Sequence, residues 1–414
     1  MTTRTNSRQV EASKVLVVGF NVRPLARSAR LAGFHVLAVD YWGDLDLSQW
    51  AEHYLAVLNQ QPDERPDRPS LPTAQALVEG AEQLLLRHGE VRHILVSGGF
   101  DDSPAEWAAL TEFGSLAGNT PELLKSARDR EATADLARRC GAELPAGESA
   151  KSRKTFRNAV TRLALPVVVK PFHGSGGFFT QVLRTEEETE KYAIRHDFDA
   201  VPVIVQELVV GTDASVSVLG TGHSACAISV NEQLIGLPQL GRGRSKAYCG
   251  NIIPLKADSS VITGLASAAE AMTESLGLIG SNGFDFVVAH DGTPYFMEIN
   301  PRFQATLEAI ELTTEANQVK LHLAACEGHL PDEAPPHLAS CARIIVYARQ
   351  YCVIPDLSQI SGVVDIPIPG SHADPGDPVC TVNHIAPTHE EAIDGAWHTV
   401  EAIYAQLRPL KTSE

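Results

Sequence analysis

The sequence predicts a multidomain α/β and α+β protein: an open α/β lobe, a mixed α+β body and a small β-rich C-terminal domain. Three observations carry that prediction. The N-terminal part alternates β-rich runs with helical periodicity, as a parallel sheet with crossover helices does. From Val167 the texture changes to short β-rich runs separated by turns. The chain has 414 residues, which at roughly 150 per domain is too long for a single core.

Taken in order, KVLVVGFNVRPLARSARLAGFHVLAVD reads strand, glycine-containing turn, helix, strand. Val15 to Val18 and Val36 to Val39 bracket a helical stretch of about twelve residues closed by Gly33, and Asp40 ends the second strand. Leu77 to His88 reads as helix, and His93 to Ser97 as a strand running into GlyGlyPheAspAsp. Residues 1–120 thus form a Rossmann-like lobe, with QQPDERPDRPSLP as an exposed loop inside it. A helix opens at Pro121 and leads to SARDREATADLARRCGAELP, another helix stopped by Gly141. Residues 121–330 form the central domain, divided into lobes 121–205, with a charged helix at Glu186 to Ile194, and 206–330. Residues 331–414 contain strands around Ala342 to Tyr347 and Gly362 to Ile368, a turn at Pro375 to Pro378, and a closing amphipathic helix from His389 to Leu407.

Asp and Glu outnumber Lys and Arg by 51 to 34, a formal charge of −17, which argues against nucleic acid as a partner. The longest apolar runs, Val15 to Phe20 and Leu165 to Val169, are strand-length, so no membrane span is expected. The polar stretch before Val15 does not read as a secretory signal. Seven scattered cysteines with no CxxC pair suggest neither a zinc site nor a disulfide framework, and place the protein in the cytoplasm.

Four segments carry chemistry. The first is the opening βαβ unit, where Asp40 lies about twenty residues beyond Gly19, the spacing at which an acid meets a ribose. Its turn, GlyPheAsnValArgPro, lacks the second glycine that lets a backbone approach a pyrophosphate. It reads instead as a loop shaping a substrate pocket. The second is VVVKPFHGSGGFFTQVL, where Lys170 ends a buried strand before Gly174, Ser175, Gly176 and Gly177. Successive backbone N–H groups beside a lysine suit phosphate oxygens, with a structural turn as the plain alternative.

The third, VIVQELVVGTDASVSVL, arranges Gln206, Glu207 and Asp213 around Gly211, and would otherwise be a hairpin with polar flanks. The fourth, GFDFVVAHDGTPYFMEINPRFQ, is the most specific. Period-two alternation puts Glu298 and Asn300 on one face, and antiparallel pairing brings Asp285 opposite them. Two carboxylates and an amide oxygen make a hard site suited to Mg²⁺, with Mn²⁺ as an alternative ion. An acid inside GlyPheAspPheValVal is costly without such a partner.

Together, in this order, the segments resemble the ATP-grasp superfamily, in the branch that looks like biotin carboxylase and the carboxylate–amine ligases. The resemblance implies an ATP-grasp fold, with ATP between two antiparallel α+β lobes, substrate contacts from the N-terminal lobe and a closing C-terminal domain. It implies that Lys170 contacts ATP phosphates and that Gly174, Ser175, Gly176 and Gly177 form a flap over them. Gln206, Glu207 and Val209 would meet adenine, Asp213 the ribose, and Asp285, Glu298 and Asn300 the metal. Arg302 would steady the acyl phosphate, and Arg343 in CARIIVYA would be a further anion-contacting arginine.

The sequence also departs from that family. The usual Asp-Lys pair is Asp129-Arg130 here, and Arg130 keeps the charge that grips phosphate. Thr306 stands where biotin carboxylase has a glutamate that helps activate bicarbonate; Glu308 is the nearest substitute. No biotinyl AlaMetLysMet motif is present. In GRGRSKAYCGNIIPL, Arg242, Arg244 and Lys246 suit a substrate carboxylate or a developing phosphate charge, so Arg244 and Lys246 join Arg302 as catalytic candidates.

The function implied is an ATP- and Mg²⁺-dependent ligase that activates a small-molecule carboxylate and joins it to an amine. Its product would belong to a cofactor or amino-acid-derived metabolite. A bicarbonate-activating carboxylase is the runner-up, and a non-catalytic nucleotide-binding module the reading from another class. A homodimer is the default assembly.

Overall fold

The computed structural model describes residues 13–410 apart from Pro69, Ser175, Phe178, Gly243 and Arg244. The site candidates Ser175 and Arg244, and most of the N-terminal stretch read for a signal segment, lie outside the described residues.

The N-terminal lobe runs β1 (Lys14–Gly19), α1 (Arg23–Leu31), β2 (His35–Asp40), β3 (His53–Ala56), α2 (Thr73–His88), β4 (His93–Val96) and α3 (Pro104–Thr111). Its four strands pair in parallel in the order β3-β2-β1-β4. The apolar runs are continuous because both sheet faces are covered. Val15 and Val17 pack with Leu25 and Ala29 of α1, while Leu16 and Val18 pack with Leu77, Ala81 and Leu84 of α2. Strand order reverses between β1 and β4, so the loops after Gly19 and after Val96 open on one crevice.

The two helices expected here are α4 (Pro121–Arg128) and α5 (Arg130–Arg139), and they part at Asp129, three residues into the stretch read as the second helix. Asp129 breaks it: with extended backbone it caps α5, its carboxylate accepting from the amides of Glu131 and Ala132 at 3.1 Å each. The small lobe follows as β5 (Gly147–Ala150), α6 (Arg153–Leu163), β6 (Val167–Pro171), β7 (Gln181–Leu183), α7 (Glu186–Arg195) and β8 (Val203–Glu207). Its antiparallel sheet has the order β5-β8-β6-β7, and Phe156, Phe198 and Tyr192 cover it.

The large sheet begins with β9 (Gly211–Thr221), β10 (Ala225–Ile235) and β11 (Tyr248–Ile253), then α8 (Ser259–Leu276), β12 (Ile279–Ala289) and β13 (Pro294–Asn300). The chain ends with α9 (Leu307–Thr314), α10 (Gln318–Cys326), β14 (Ser340–Tyr347), β15 (Cys352–Val353), β16 (Val363–Val364), β17 (His372–Ala373), β18 (Pro378–Ala386), α11 (His389–Gln406) and β19 (Arg408–Pro409). The eight-stranded order is β13-β12-β9-β10-β11-β14-β18-β16, so C-terminal strands extend the same sheet through β11–β14 pairing. The strand expected at Gly362 to Ile368 shrinks to two residues. Asp365, at φ 55°, leaves the ladder, and its amide donates to Asp46 Oδ2 at 3.1 Å.

The connector Gln206–Asp213 is not a hairpin: β8 lies in the small sheet and β9 in the large one, so this segment joins the two lobes. No helix among the described residues is long and apolar enough to cross a membrane, and all seven cysteines are free.

Candidate active site

Between the two lobes lies a cavity of about 300 Å³. Its floor is the β12–β13 hairpin, whose register pairs Asp285 with Glu298 and Gly283 with Asn300. The register shifts after Asp285, leaving the alternation intact exactly where the acids sit on the cavity side. Asp285 Oδ1 accepts from Gln233 Nε2 at 2.9 Å and Oδ2 from Asn300 Nδ2 at 3.0 Å. Burial, and then the neighbouring Glu298, push the Asp285 carboxyl well above the ordinary carboxylate range. Two facing carboxyls are relieved by a shared proton or by a cation, while the Asn300 amide turns its nitrogen to Asp285 and its oxygen to Arg302 Nη2, 3.2 Å away.

Opposite stand the cations. Lys170 is the penultimate residue of β6, and burial followed by Arg130 lowers its ammonium to about 8. Arg130 donates to the Phe172 carbonyl at 3.1 Å and lines the same cavity. Gly174, Gly176 and Gly177 line it from the turn after β6. Gly177 has φ +66°, and a Cβ there would lie 1.9 Å from the Lys246 carbonyl oxygen, so only glycine fits. The turn is stitched to the 245–248 segment: Tyr248 N donates to the Gly176 carbonyl and Lys246 N to the Thr180 carbonyl, both at 2.9 Å.

Gln206, Glu207, Val209 and Asp213 line the connector side of the cavity. One Glu207 oxygen is committed, accepting from Ala146 N at 2.9 Å. Lys246, a catalytic candidate, lines the same cavity and lies 3.5 Å from Asp213 Oδ2, its backbone paired to the Thr180 carbonyl of the glycine turn. Ser215, two residues after Asp213 on β9, has a buried hydroxyl at the cavity wall with no hydrogen-bond partner among the described residues.

Three residues of the site were not singled out by the sequence analysis. Arg302 forms a bidentate pair with Asp101, Nε to Oδ1 at 2.7 Å and Nη2 to Oδ2 at 3.0 Å. Arg128 donates to Asp102 Oδ1 and to the Gly174 carbonyl, both at 3.1 Å, and to Glu298 Oε2 at 3.4 Å. Their signals were the two acids closing GlyGlyPheAspAsp and the arginine adjoining Asp129-Arg130.

Two expectations are corrected. Arg343 does not line the cavity; its guanidinium is buried against Glu308 at 3.3 Å and Asp365 at 3.0 Å. Glu308 is no substitute base, being 3% exposed and bound to Arg23, Arg343 and Asn383. Burial pushes its carboxyl up, but Arg23 and Arg343 outweigh it and hold it below the usual range. Thr306 does reach the cavity, 3.2 Å from the Ser217 hydroxyl.

Residues 127–306 match a protein-family model described as an ATP-grasp domain. An uncharacterized protein of Methanocaldococcus jannaschii is 25% identical over 371 residues, 89% of this chain and 87% of its own. Among solved structures, the biotin carboxylase domain of Hydrogenobacter thermophilus 2-oxoglutarate carboxylase, in complex with MgADP, ADP and bicarbonate, is similar at TM-score 0.69 and 15% identity, covering 96% of this chain and 90% of that one. An L-amino acid ligase from Bacillus licheniformis is similar at TM-score 0.67 and 14% identity, covering 98% and 100%. Residues 127–306 thus match an ATP-grasp domain, and the chain as a whole shares its fold with these biotin carboxylase and amino acid ligase structures.

Proposed function

We propose that this protein is an ATP-dependent ligase that activates a substrate carboxylate as an acyl phosphate and joins it to an amine. The observation that carries the reading is the juxtaposition in one cavity of Asp285, Glu298 and Asn300 with Lys170, Arg130 and Arg302. Lys170, Arg130, Gly174, Gly176 and Gly177 bind the phosphates; Gln206, Glu207 and Val209 hold the base and Asp213 the ribose. Asp285, Glu298 and Asn300 would hold Mg²⁺, or Mn²⁺ in its place. That ion, when bound, neutralises charge on the phosphate oxygens.

Arg302 steadies the acyl phosphate. The γ-phosphoryl passes to a carboxylate oxygen with ADP leaving; the amine nitrogen then attacks the acyl carbon, phosphate leaves and the amine loses a proton. The reaction needs alignment and charge neutralisation, so no side-chain nucleophile is invoked. The nucleotide lies between lobes 121–205 and 206–330, and the protein works in the cytoplasm as a homodimer on small molecules.

A second reading, a bicarbonate-activating carboxylase, draws on the structural relative that holds MgADP and bicarbonate. Thr306 and the committed Glu308 weigh against it. The deciding experiment is ADP and phosphate release from ATP and Mg²⁺ against amino acids, amines, carboxylic acids and bicarbonate, singly and in pairs. Release that needs an acid with an amine, and a product mass matching their condensation, supports the ligase. Stimulation by bicarbonate, with labelled carbon entering an acceptor, replaces it with the carboxylase.

A further inference from the structure

The Gly98–Asp102 loop belongs to the N-terminal lobe, yet it grips the cleft at two points. Asp101, 5% exposed, takes two N–H groups of Arg302. Arg302 Nη2 also donates to Asn300 Oδ1 at 3.2 Å and Nη1 to the Phe303 carbonyl at 3.1 Å. Of the five N–H groups of a guanidinium, this leaves one, on Nη1, for a reacting oxygen. Asp101 sets where it points. Asp102 accepts from Arg128 with Oδ1 and from the Gly174 amide with Oδ2 at 2.5 Å. Because Arg128 also donates to the Gly174 carbonyl, both backbone polar groups of that glycine are held, and the same guanidinium reaches Glu298.

We propose that Asp101, Asp102 and Arg128 are positioning residues of the transfer site: Asp101 orients Arg302, while Asp102 and Arg128 latch Gly174 of the glycine turn to Glu298. Bidentate pairing fixes the plane of a guanidinium as well as its distance, and small misplacements at a reacting centre are costly. The loop carrying both acids leaves β4 at the strand-order reversal, beside the turn after β1. A substrate entering that crevice therefore meets the element that sets both the arginine and the turn. The role of Asp101 rests on the ligase reading, and the latch does not.

The latch is tested on the nucleotide-free full chain by hydrogen–deuterium exchange over residues 172–180, comparing wild type with Asp102→Ala and Arg128→Gln. Losing a charge-assisted tether predicts about tenfold faster exchange in this segment, with the core strands unchanged. Unchanged exchange in both variants overturns the latch; Asp102→Asn replaces Asp102→Ala if the latter fails to fold. For Asp101→Asn, kcat of ATP-dependent phosphate release falls about 10- to 100-fold while KM for ATP stays within about twofold. A raised KM with kcat unchanged overturns the orienting role. If wild type turns over ATP with no acid, amine or bicarbonate, the ligase reading and the Asp101 role fall together, and the exchange data still decide the latch.

Discussion

Two clusters of buried charge in this molecule use the same residue types and end in opposite conditions. In the one around Glu308, opposite charges adjoin. Arg23 and Arg343 both bind Glu308 and Asp365, and Asn383 donates to Glu308 at 2.9 Å. In the cleft opposite charges also pair, as in Arg302–Asp101 and Arg128–Glu298, but like adjoins like as well: Asp285 faces Glu298, and Arg130 is the charge that most perturbs Lys170. The first cluster pairs its charges within the protein, with only the Arg343 Nε left without a hydrogen-bond partner among the described residues, and it ties α1, α9 and the C-terminal strands together. The second is complete only when an anion meets the cations and a cation meets the acids, which a nucleotide phosphate with a divalent ion supplies at once.

That contrast breaks most sharply at Glu298. Glu298→Gln should lower ATP-dependent phosphate release about a thousandfold, the several kcal/mol that metal-held charge neutralisation contributes. Its unfolding midpoint should not fall, since the change removes one of two facing acids. Full turnover in the variant would end the cation reading.

Glu308→Leu should behave in reverse. It strands Arg23 and Arg343, and breaking a buried pair from one side costs about 3–5 kcal/mol. Denaturant unfolding reads this directly. A midpoint like that of wild type would mean the scaffold cluster does not hold the lobes.

How far these clusters could be read from sequence follows from how far apart their members lie. Asp285, Glu298 and Asn300 sit on one hairpin, so strand periodicity alone put them on a common face. Lys170 and the glycines after it were equally local. Arg23 and Glu308 are 285 residues apart and Arg128 and Glu298 170 apart, and no spacing rule joins them. Arg343 and Glu308 were misplaced for that reason: each looked free because its partner was remote. The fold class was legible in the β-rich runs, whereas the fusion of β14 and β18 to the large sheet depends on β11–β14 pairing across 90 residues of sequence and was not.

The cations of the cleft sharpen the comparison through pH. Lys170, lowered to about 8 in the free protein, must be charged to hold phosphate, and a bound polyanion raises its pKa. Between about pH 7 and about pH 9 nucleotide affinity should therefore weaken about tenfold, as the free lysine gives up a proton that the complex retains. Titration calorimetry with a non-hydrolysable ATP analogue measures this. A flat profile would mean Lys170 does not contact phosphate.

The smallest effect tests whether the scaffold is as complete as its centre suggests. Asp44 is 5% exposed beside Asp46 and Asp365, and no donor among the described residues hydrogen-bonds its carboxyl. Burial first, and then Asp40, raise it well above the carboxylate range. A carboxyl whose folded pKa exceeds its unfolded one binds a proton more tightly when folded. Stability is then lost as pH rises from the unfolded value of about 4 through the folded one. Asp44→Asn removes that loss, so the variant should unfold at higher temperature than wild type at about pH 8, with the gain shrinking toward about pH 4. Thermal unfolding at both ends of that window decides it. A gain of equal size at the two ends would locate the effect in packing, and Asp44 would then belong with the satisfied charges around Glu308.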